Sequence, residues 1–191
     1  MLLRLALAQI NPTVGDLAGN ASRIAAFSRQ ARQAGAEVVL FPEMALTGYP
    51  PEDLLFEPLF LSKTEKSLKH LLTIIPKDIL TVVGSPTGKS GHLLNGAFAL
   101  FGGRVRHTFH KWFLPNYGVF DEQRYFREGE KPAVVDVNGV RIGFSICEDM
   151  WRPKGPALAA AEAGASLILN LSASPYHAGK IKERLGVLRK K

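Results

Sequence analysis

The sequence predicts an α/β fold in which helices cover a mixed β-sheet, and three observations support this prediction. Short runs rich in Val, Ile, Leu and Phe alternate along the chain with segments of helical periodicity. Helical segments separate the early strands from one another and the late strands from one another. In the middle of the chain, Gly102 and Gly103 join two strands directly. Helical crossovers give parallel pairs and short turns give antiparallel pairs, so we predict a layered α/β sandwich with a mixed sheet.

The predicted strands are apolar runs of four to seven residues, which is the usual strand length. In chain order they are residues 3–9, 38–41, 80–84, 97–101, 105–110, 133–137, 141–146 and 167–171. The predicted helices are residues 21–34, about 52–75, 156–163 and 178–190.

The first of these helices shows the clearest periodicity. Its apolar residues step by three and four positions along one face: Ile24, Phe27, Ala31 and Ala34. Asn20 precedes the pattern and is predicted to be the N-cap, and Gly35 follows it as a C-terminal cap.

Composition is that of an ordinary globular domain, with 46% hydrophobic and 21% charged residues in 191. The net charge of +7 is concentrated at the C-terminal end. Residues 180–191 hold six basic side chains and one acidic one, a net of +5, which leaves +2 for the other 179 residues. We interpret this end as a solvated basic helix and expect no nucleic-acid partner.

The chain has a single cysteine, Cys147, so it cannot form an internal disulfide. Arg4 interrupts the apolar N-terminal run, and no run approaches the ~20 residues that span a bilayer. We therefore expect a cytoplasmic protein without a membrane partner.

Three segments carry residues suited to chemistry. In the first, an apolar strand ends in Phe41-Pro42-Glu43, and a loop rich in Gly and Pro follows. Ligand crevices of α/β folds form at such strand ends, so Glu43 is a candidate general base. Taken alone, a surface glutamate at a loop start is the simpler interpretation.

The second segment places Lys111 between a strand and a loop rich in aromatic residues. An ammonium that aromatic neighbours partly shield from water interacts strongly with a negative charge that develops beside it. Taken alone, a solvated lysine whose stem covers Trp112 is the simpler interpretation.

The third segment places Cys147 where an apolar strand breaks into Glu148-Asp149-Met150-Trp151 and then Pro and Gly residues. We expect a thiol on such a turn to be exposed to a crevice, with backbone N–H groups nearby for an oxyanion.

The order Glu43, Lys111, Cys147, together with its flanking residues, resembles the nitrilase (carbon–nitrogen hydrolase) superfamily. The stretches that carry the closer resemblance, to the glutaminase domain of glutamine-dependent NAD synthetases, lie at residues 41–54, 111–126, 147–151 and 170–180. This resemblance covers essentially the whole chain. It implies an α-β-β-α sandwich, with residues 1–191 as one glutamine amidohydrolase domain that pairs into a homo-oligomer.

The resemblance also implies a mechanism and its residues. Glu43 would deprotonate Cys147, which attacks the side-chain amide of glutamine, and Lys111 would hold the oxyanion. Glu122 would support the lysine. The implied ligands of the amino-acid end of glutamine are Tyr117, Glu148, Ser174 and Lys180. No cofactor or metal is implied for this reaction.

The chain is shorter than a nitrilase domain and has no Ser-Gly-Gly-x-Asp-Ser loop for ATP. From this we expect the last part of the sandwich and the synthetase domain, which would bind ATP and deamido-NAD, to be absent. We also expect lower stability than that of an intact domain and association through the uncovered edge.

Other interpretations remain. A nucleotide-binding module is suggested by residues 84–90, but three residues separate the two glycines where a phosphate loop needs four, so a turn between strands is preferred. Serine-hydrolase and papain-like signatures are incomplete around Cys147, and the histidines lack ligand spacing. Two alternatives stay open: an amidase of the same superfamily with another substrate, and a non-catalytic assembly fragment.

Overall fold

A computed structural model of the protein describes residues 2–190, and these form two facing β-sheets with helices on the outside. The first sheet consists of β1 (Leu5–Leu7), β2 (Val38–Leu40), β3 (Leu80–Lys89), β4 (His92–Phe101) and β5 (Arg104–His110) in that spatial order, with β6 (Phe126–Arg127) also paired to β4. The second sheet consists of β7 (Val134–Val137), β8 (Val140–Ile146) and β9 (Leu167–Leu171). The helices are α1 (Leu17–Gln33), α2 (Pro58–Ile74), α3 (Pro156–Glu162) and α4 (Lys180–Leu188).

The two-residue period of β2 explains the layers. Val38 and Leu40 point into the core between the sheets, where they join Phe144 and Leu171. Val39 points the other way, into the core formed with α1 and α2. Helix α3 packs on the outer side of β8 and β9. The described residues therefore form the α-β-β-α sandwich, and the mixed sheet predicted from the sequence is confirmed.

Strand directions bring the segments after β2 and β5 to one edge of the first sheet. Strands β2 and β3 are parallel, and β4 is antiparallel to both β3 and β5. Strand β5 therefore runs in the same direction as β2, and the chain leaves both at the same edge of the first sheet. In the second sheet β8 and β9 are parallel, with Ile146 opposite Leu171.

Several predicted boundaries were wrong because local geometry overrode the apolar pattern. Strands β3 and β4 extend as a hairpin to Lys89 and His92, so the suspected phosphate loop is a strand followed by a turn. The predicted helix at 52–75 begins as a separate 3₁₀ turn, Glu52–Phe56, before α2. Strand β6 was not predicted.

The predicted N-cap of α1 was also wrong. Asp16 caps the helix, since its Oδ1 accepts a 2.9 Å hydrogen bond from the Gly19 N–H. Asn20 is instead buried within the helix, where its Nδ2 donates to the carbonyls of Thr13 (2.8 Å) and Leu46 (3.1 Å). Asn20 thus ties the first loop to the loop that follows β2.

The basic C-terminal segment is only partly solvated. Lys180 and Arg184 of α4 turn towards Trp151 and Ser174, respectively. Lys191 lies outside the described residues. Within residues 2–190, the helices are all too short or too polar to cross a bilayer.

Candidate active site

Glu43 lies in the loop that follows β2, close against β3. The Leu46 N–H donates to the Gly84 carbonyl at 3.1 Å and holds this loop on the strand. A Cβ atom at Gly84 would lie 2.5 Å from the Met44 nitrogen and 2.9 Å from the Glu43 carbonyl carbon. Only glycine leaves room for this approach. The Glu43 side chain is consequently buried, at 1% exposure.

Lys111 follows β5 and is completely buried. Its Nζ lies 2.7 Å from Oε1 of Glu43 and 2.8 Å from Oε1 of Glu122. Two of the three N–H donors of the ammonium are therefore used. Among residues 2–190 no other acceptor takes the third, which leaves it free for a substrate oxygen.

Glu122 starts a short 3₁₀ turn, Glu122–Arg124, and completes the polar cluster. Its Oε1 also accepts a 2.9 Å hydrogen bond from the Tyr49 hydroxyl. Asn95 lies between the two carboxylates: its Nδ2 donates to Oε1 of Glu43 at 2.8 Å and to Oε2 of Glu122 at 3.3 Å. The two acids are thus held around one ammonium and one amide.

Cys147 lies where β8 ends and a 3₁₀ turn, Cys147–Trp151, begins. Its φ angle of +46° lies in the left-handed region, which is rare and costly for a residue other than glycine. The expectation of an exposed thiol was wrong, because Cys147 is 4% exposed and packs in the core between the sheets. The hydroxyl of Ser172, which follows β9, lies 3.6 Å from Sγ.

Charges in this cluster act strongly on one another because water is nearly excluded. Burial and the neighbouring Glu43 carboxylate raise the pKa of the Cys147 thiol above its usual value. Burial lowers the pKa of Lys111, but Glu43, Cys147 and Glu122 outweigh it and hold that pKa above its usual value. Burial and Glu43 likewise raise the pKa of Glu122. The thiol is therefore protonated at neutral pH and needs a base, whereas the lysine stays charged.

Asp149 links the lysine segment to the cysteine segment. Its Oδ1 accepts hydrogen bonds from the backbone N–H groups of Trp112 and Phe113, both at 3.0 Å, and its Oδ2 accepts one from Ile146 at 2.9 Å. Burial raises the pKa of Asp149 to about 6, although the three N–H groups work in the opposite direction.

The residues predicted to hold the amino-acid end of glutamine fall into separate pairs. The Tyr117 hydroxyl donates to Oε2 of Glu148 at 2.8 Å, beside Cys147 in sequence. Ser174 accepts hydrogen bonds from Arg184 through its carbonyl, at 3.0 Å, and its hydroxyl, at 3.3 Å.

Lys180 contacts the turn that carries Cys147. Its Nζ lies 4.3 Å from the centre of the Trp151 ring and 3.0 Å from Oε2 of Glu183. Within the described residues, no hydrogen bond joins Lys180 to Ser174 or to the pair of Tyr117 and Glu148.

An open cleft of about 700 Å³ reaches Glu43 from the surface. Its wall includes Ser172, Ala173, Ser174 and Arg184. The Ala173 N–H donates to Oε2 of Glu43 at 3.1 Å, so the segment after β9 lies directly over the acid. In the part of the chain that the structure describes, no group of three His, Cys, Asp or Glu side chains could hold a metal ion.

Four residues of this site were missed in the sequence: Tyr49, Asn95, Asp149 and Ser172. Asn95 carried a usable signal, since it interrupts the run Leu93-Leu94-Asn95-Gly96-Ala97-Phe98. A polar side chain at the centre of an apolar strand is expected to have a buried partner. Asp149 had no comparable signal, because three backbone groups, two of them distant in sequence, define its role.

The fold, together with a buried acid, lysine and thiol, defines a class of hydrolase. The chain matches the carbon–nitrogen hydrolase family over residues 4–190 and belongs to it. The superfamily resemblance seen in the sequence is thereby confirmed.

The individual relatives belong to a narrower group than the family as a whole. The chain is 44% identical over 180 residues to a glutamine-dependent NAD(+) synthetase of Aquifex aeolicus, covering 94% of this chain and 31% of that protein. It is 43% identical over 190 residues to the glutamine-dependent NAD(+) synthetase of Xanthomonas campestris pv. campestris, covering 97% of this chain and 34% of that protein. The chain therefore spans about a third of the length of these relatives.

Solved structures agree in fold. The glutamine-dependent NAD+ synthetase of Acinetobacter baumannii, in complex with ADP, superposes with a TM-score of 0.88 at 34% identity, over 97% of this chain and 35% of that one. A glutamate-to-leucine mutant of the amidase of Nesterenkonia sp. AN1 superposes with a TM-score of 0.80 at 25% identity, over 94% of this chain and 68% of that one. In that mutant, the acetamide moiety of fluoroacetamide is covalently added at the active-site cysteine.

Proposed function

We propose that this chain hydrolyses the side-chain amide of glutamine to glutamate and ammonia through a thioester on Cys147. The observation that carries the proposal is the Lys111 ammonium held by Glu43 and Glu122 next to the buried thiol. Amide cleavage by a nucleophile needs a base, a cation that stabilises the oxyanion and a nucleophile, and this buried site holds a carboxylate, an ammonium and a thiol.

In the first half-reaction, Glu43 accepts the thiol proton and the sulfur attacks the amide carbon. The free N–H of Lys111 stabilises the oxyanion, together with the backbone N–H of Glu148. When the tetrahedral intermediate collapses, Glu43 returns the proton to the leaving nitrogen and ammonia departs.

In the second half-reaction, Glu43 removes a proton from water, and the hydroxide attacks the thioester carbonyl. When this intermediate collapses, glutamate is released and Glu43 returns its proton to the sulfur, which regenerates the thiol. Glu122 does not exchange a proton with the substrate in this scheme; it keeps the Lys111 ammonium in place.

Glutamine is favoured over a simple amide because acidic and polar groups lie beside the turn of Cys147. Glu148 and Tyr117 are suited to bind an α-ammonium group, and Ser174 and Lys180 to bind an α-carboxylate. Homology with glutamine-dependent NAD(+) synthetases over about a third of their length supports this choice. In a complete synthetase, the ammonia would be used to amidate deamido-NAD.

Two measurements test the proposal. Release of ammonia from glutamine should be compared with release from acetamide, propionamide and asparagine. In parallel, an electrophilic glutamine analogue should label the protein once, at Cys147, and a Cys147→Ala variant should remain unlabelled. Turnover of small amides in preference to glutamine would favour a related amidase, and labelling without any turnover would favour a non-catalytic fragment.

A further inference from the structure

Asn95 lies at the one place in the first sheet where the pairing of β4 changes partner. Strand β5 pairs with β4 from Phe101 down to Gly96, and β6 pairs with it at Leu93 and Leu94. Between these two ladders, the Asn95 carbonyl accepts a 2.8 Å hydrogen bond from the Lys111 N–H. This backbone hydrogen bond therefore fixes the position of Lys111 just after the end of β5.

The side chain of Asn95 contacts both acids of the site. Its Nδ2 donates to Glu43 and to Glu122, and the residue is completely buried. The amide oxygen Oδ1 is buried without a hydrogen-bond partner among the described residues. A buried acceptor without a donor is costly, so the position is not optimised for stability alone. The opposite amide orientation would place this oxygen against two carboxylates, which repel it.

The contacts divide the two oxygens of Glu43 into different roles. Oε1 accepts from Lys111 at 2.7 Å and from Asn95 at 2.8 Å. Oε2 accepts from the Ala173 N–H at 3.1 Å. A carboxylate oxygen has two lone pairs, so Oε1 is fully occupied, whereas Oε2 has one left. That lone pair is the one available to the Cys147 thiol, whose pKa the Glu43 carboxylate raises.

We infer that Asn95 is a positioning residue for the base: by occupying Oε1 of Glu43 it directs the proton of Cys147 to Oε2. This inference rests on the proposed role of Glu43 as general base. The unsatisfied Oδ1 is the consequence, because the amide can donate to both carboxylates only by turning its oxygen away from every donor.

The test uses alkylation of the single cysteine by chloroacetone, which has no amide for the site to hydrolyse. In this reaction Sγ forms a bond to the CH₂ carbon, the C–Cl bond breaks and chloride leaves, while the thiol proton passes to Glu43. The rate is measured by intact mass across a range of pH for the parent, Asn95→Asp and Asn95→Ala. These profiles report on the whole set of groups that face the amide and the thiol: Glu43, Glu122, Lys111, Cys147 and Tyr49.

Asn95→Asp replaces a donor by a third carboxylate beside Glu43. The acid limb of its alkylation profile should move to higher pH by about one unit, with a loss of about tenfold in rate at each pH on that limb. Asn95→Ala removes the donor without adding charge. Its rate should fall at all pH values, because the carboxylate is free to rotate, while the acid limb stays near that of the parent.

Thr64→Asp is the control, since it also buries a new carboxylate. Thr64 is buried in α2, and its hydroxyl donates within that helix, to the Phe60 carbonyl at 2.9 Å. This variant should lower the melting temperature and leave the alkylation profile unchanged. Asn95 profiles that superimpose on the parent, or an equal shift in Thr64→Asp, would overturn the inference.

Failure of the proposed function gives a different result. If Glu43→Gln is alkylated as fast as the parent, Glu43 is not the base and both proposals fail together. If Glu43→Gln is slow but the Asn95 variants behave as the parent, only the role of Asn95 is lost.

Discussion

The Asp149 carboxylate accepts a 3.0 Å hydrogen bond from the backbone N–H of Trp112, the residue that follows Lys111. The same side chain accepts from Ile146, the residue that precedes Cys147. One buried acid therefore sets the spacing between the segment of the ammonium and the segment of the nucleophile. Backbone groups are the donors at both ends, so this spacing does not depend on the neighbouring side chains.

We predict that Asp149→Asn lowers the free energy of unfolding by about 1–3 kcal/mol, because the amide can no longer accept on both sides and leaves a backbone N–H unsatisfied. Release of ammonia from glutamine should fall at least about tenfold, since the oxyanion donor and the nucleophile lose their fixed separation. Urea unfolding and the ammonia assay measure the two effects. A variant with lower stability but full activity would show that Asp149 acts only in folding.

The difference in free energy of unfolding between the parent and Asp149→Asn should depend on pH, because the pKa of Asp149 is raised in the folded state. Its pKa is about 6 in the folded state and 3.8 when unperturbed, so the folded protein binds a proton more tightly than the unfolded chain. The contribution of this group to stability is complete below about pH 3.8 and is lost as the pH rises to about 6. The stability advantage of the parent over Asp149→Asn should therefore shrink between about pH 4 and pH 6. A constant difference across urea unfolding curves in that window would contradict this assignment.

We predict that Gly84→Ala displaces the base. The added Cβ would meet the Met44 nitrogen at 2.5 Å and the Pro42 oxygen at 2.6 Å, and both are backbone atoms that cannot rotate away. Overpacking of this kind costs about 1–3 kcal/mol. Alkylation of Cys147 at neutral pH should slow at least about tenfold, because the carboxylate moves relative to the thiol.

Gly186→Ala is the matched control for that substitution. Gly186 lies within α4, and nothing lies within 4 Å of the position that the added methyl group would take. Replacing a helical glycine by alanine stabilises the helix by about 0.5–1 kcal/mol. The control should therefore retain the alkylation rate and melt at the same or a higher temperature. An equal loss of alkylation rate in both variants would refute the steric explanation for Gly84→Ala.

Much of the sandwich could be predicted from the sequence because burial imposes a period on each strand. The alternation at Val38, Val39 and Leu40 serves two cores, so an apolar run there predicts a strand covered on both faces. Glu43, Lys111 and Cys147 could be predicted as a set because their order and flanking residues resemble the nitrilase superfamily; on the local pattern alone, Glu43 and Lys111 each had a simpler interpretation. The structure brings Glu43 and Lys111 into contact across 68 residues.

The parts that escaped prediction depend on contacts between segments far apart in the chain. Asn95 lies two residues before the predicted start of its strand, at a position that strand pairing alone defines. Asp16 outcompeted Asn20 as the helix cap because Asn20 has better partners in two loops. The burial of Cys147 follows from the facing sheet, which no local pattern in residues 139–151 describes.

We predict that the reactivity of Cys147 at neutral pH depends on Glu43. Burial raises the pKa of the thiol, so the thiolate is scarce unless a neighbouring base takes its proton. Glu43→Gln should therefore reduce alkylation by chloroacetone by at least about tenfold at pH 7, with the rate recovering only in strongly basic solution. Glu37→Gln provides the control, because Glu37 is a half-buried acid that accepts a hydrogen bond from the Arg4 N–H. Similar rates for Glu43→Gln and the parent at pH 7 would exclude the base.

The last prediction separates recognition of glutamine from chemistry. Tyr117 donates to Glu148 beside the cysteine turn, but neither side chain hydrogen-bonds to the cluster of Lys111 and Glu122 in the described part of the chain. Tyr117→Phe removes one hydroxyl and leaves the ring packed on Phe120. The KM for glutamine should rise about tenfold while kcat changes little, because the α-ammonium group loses an ordered partner in both ground and transition states. The rate of alkylation by chloroacetone, which has no α-ammonium group, should stay at the parent value. An equal loss with both reagents would place Tyr117 in the chemistry, and no loss with either would remove it from the glutamine site.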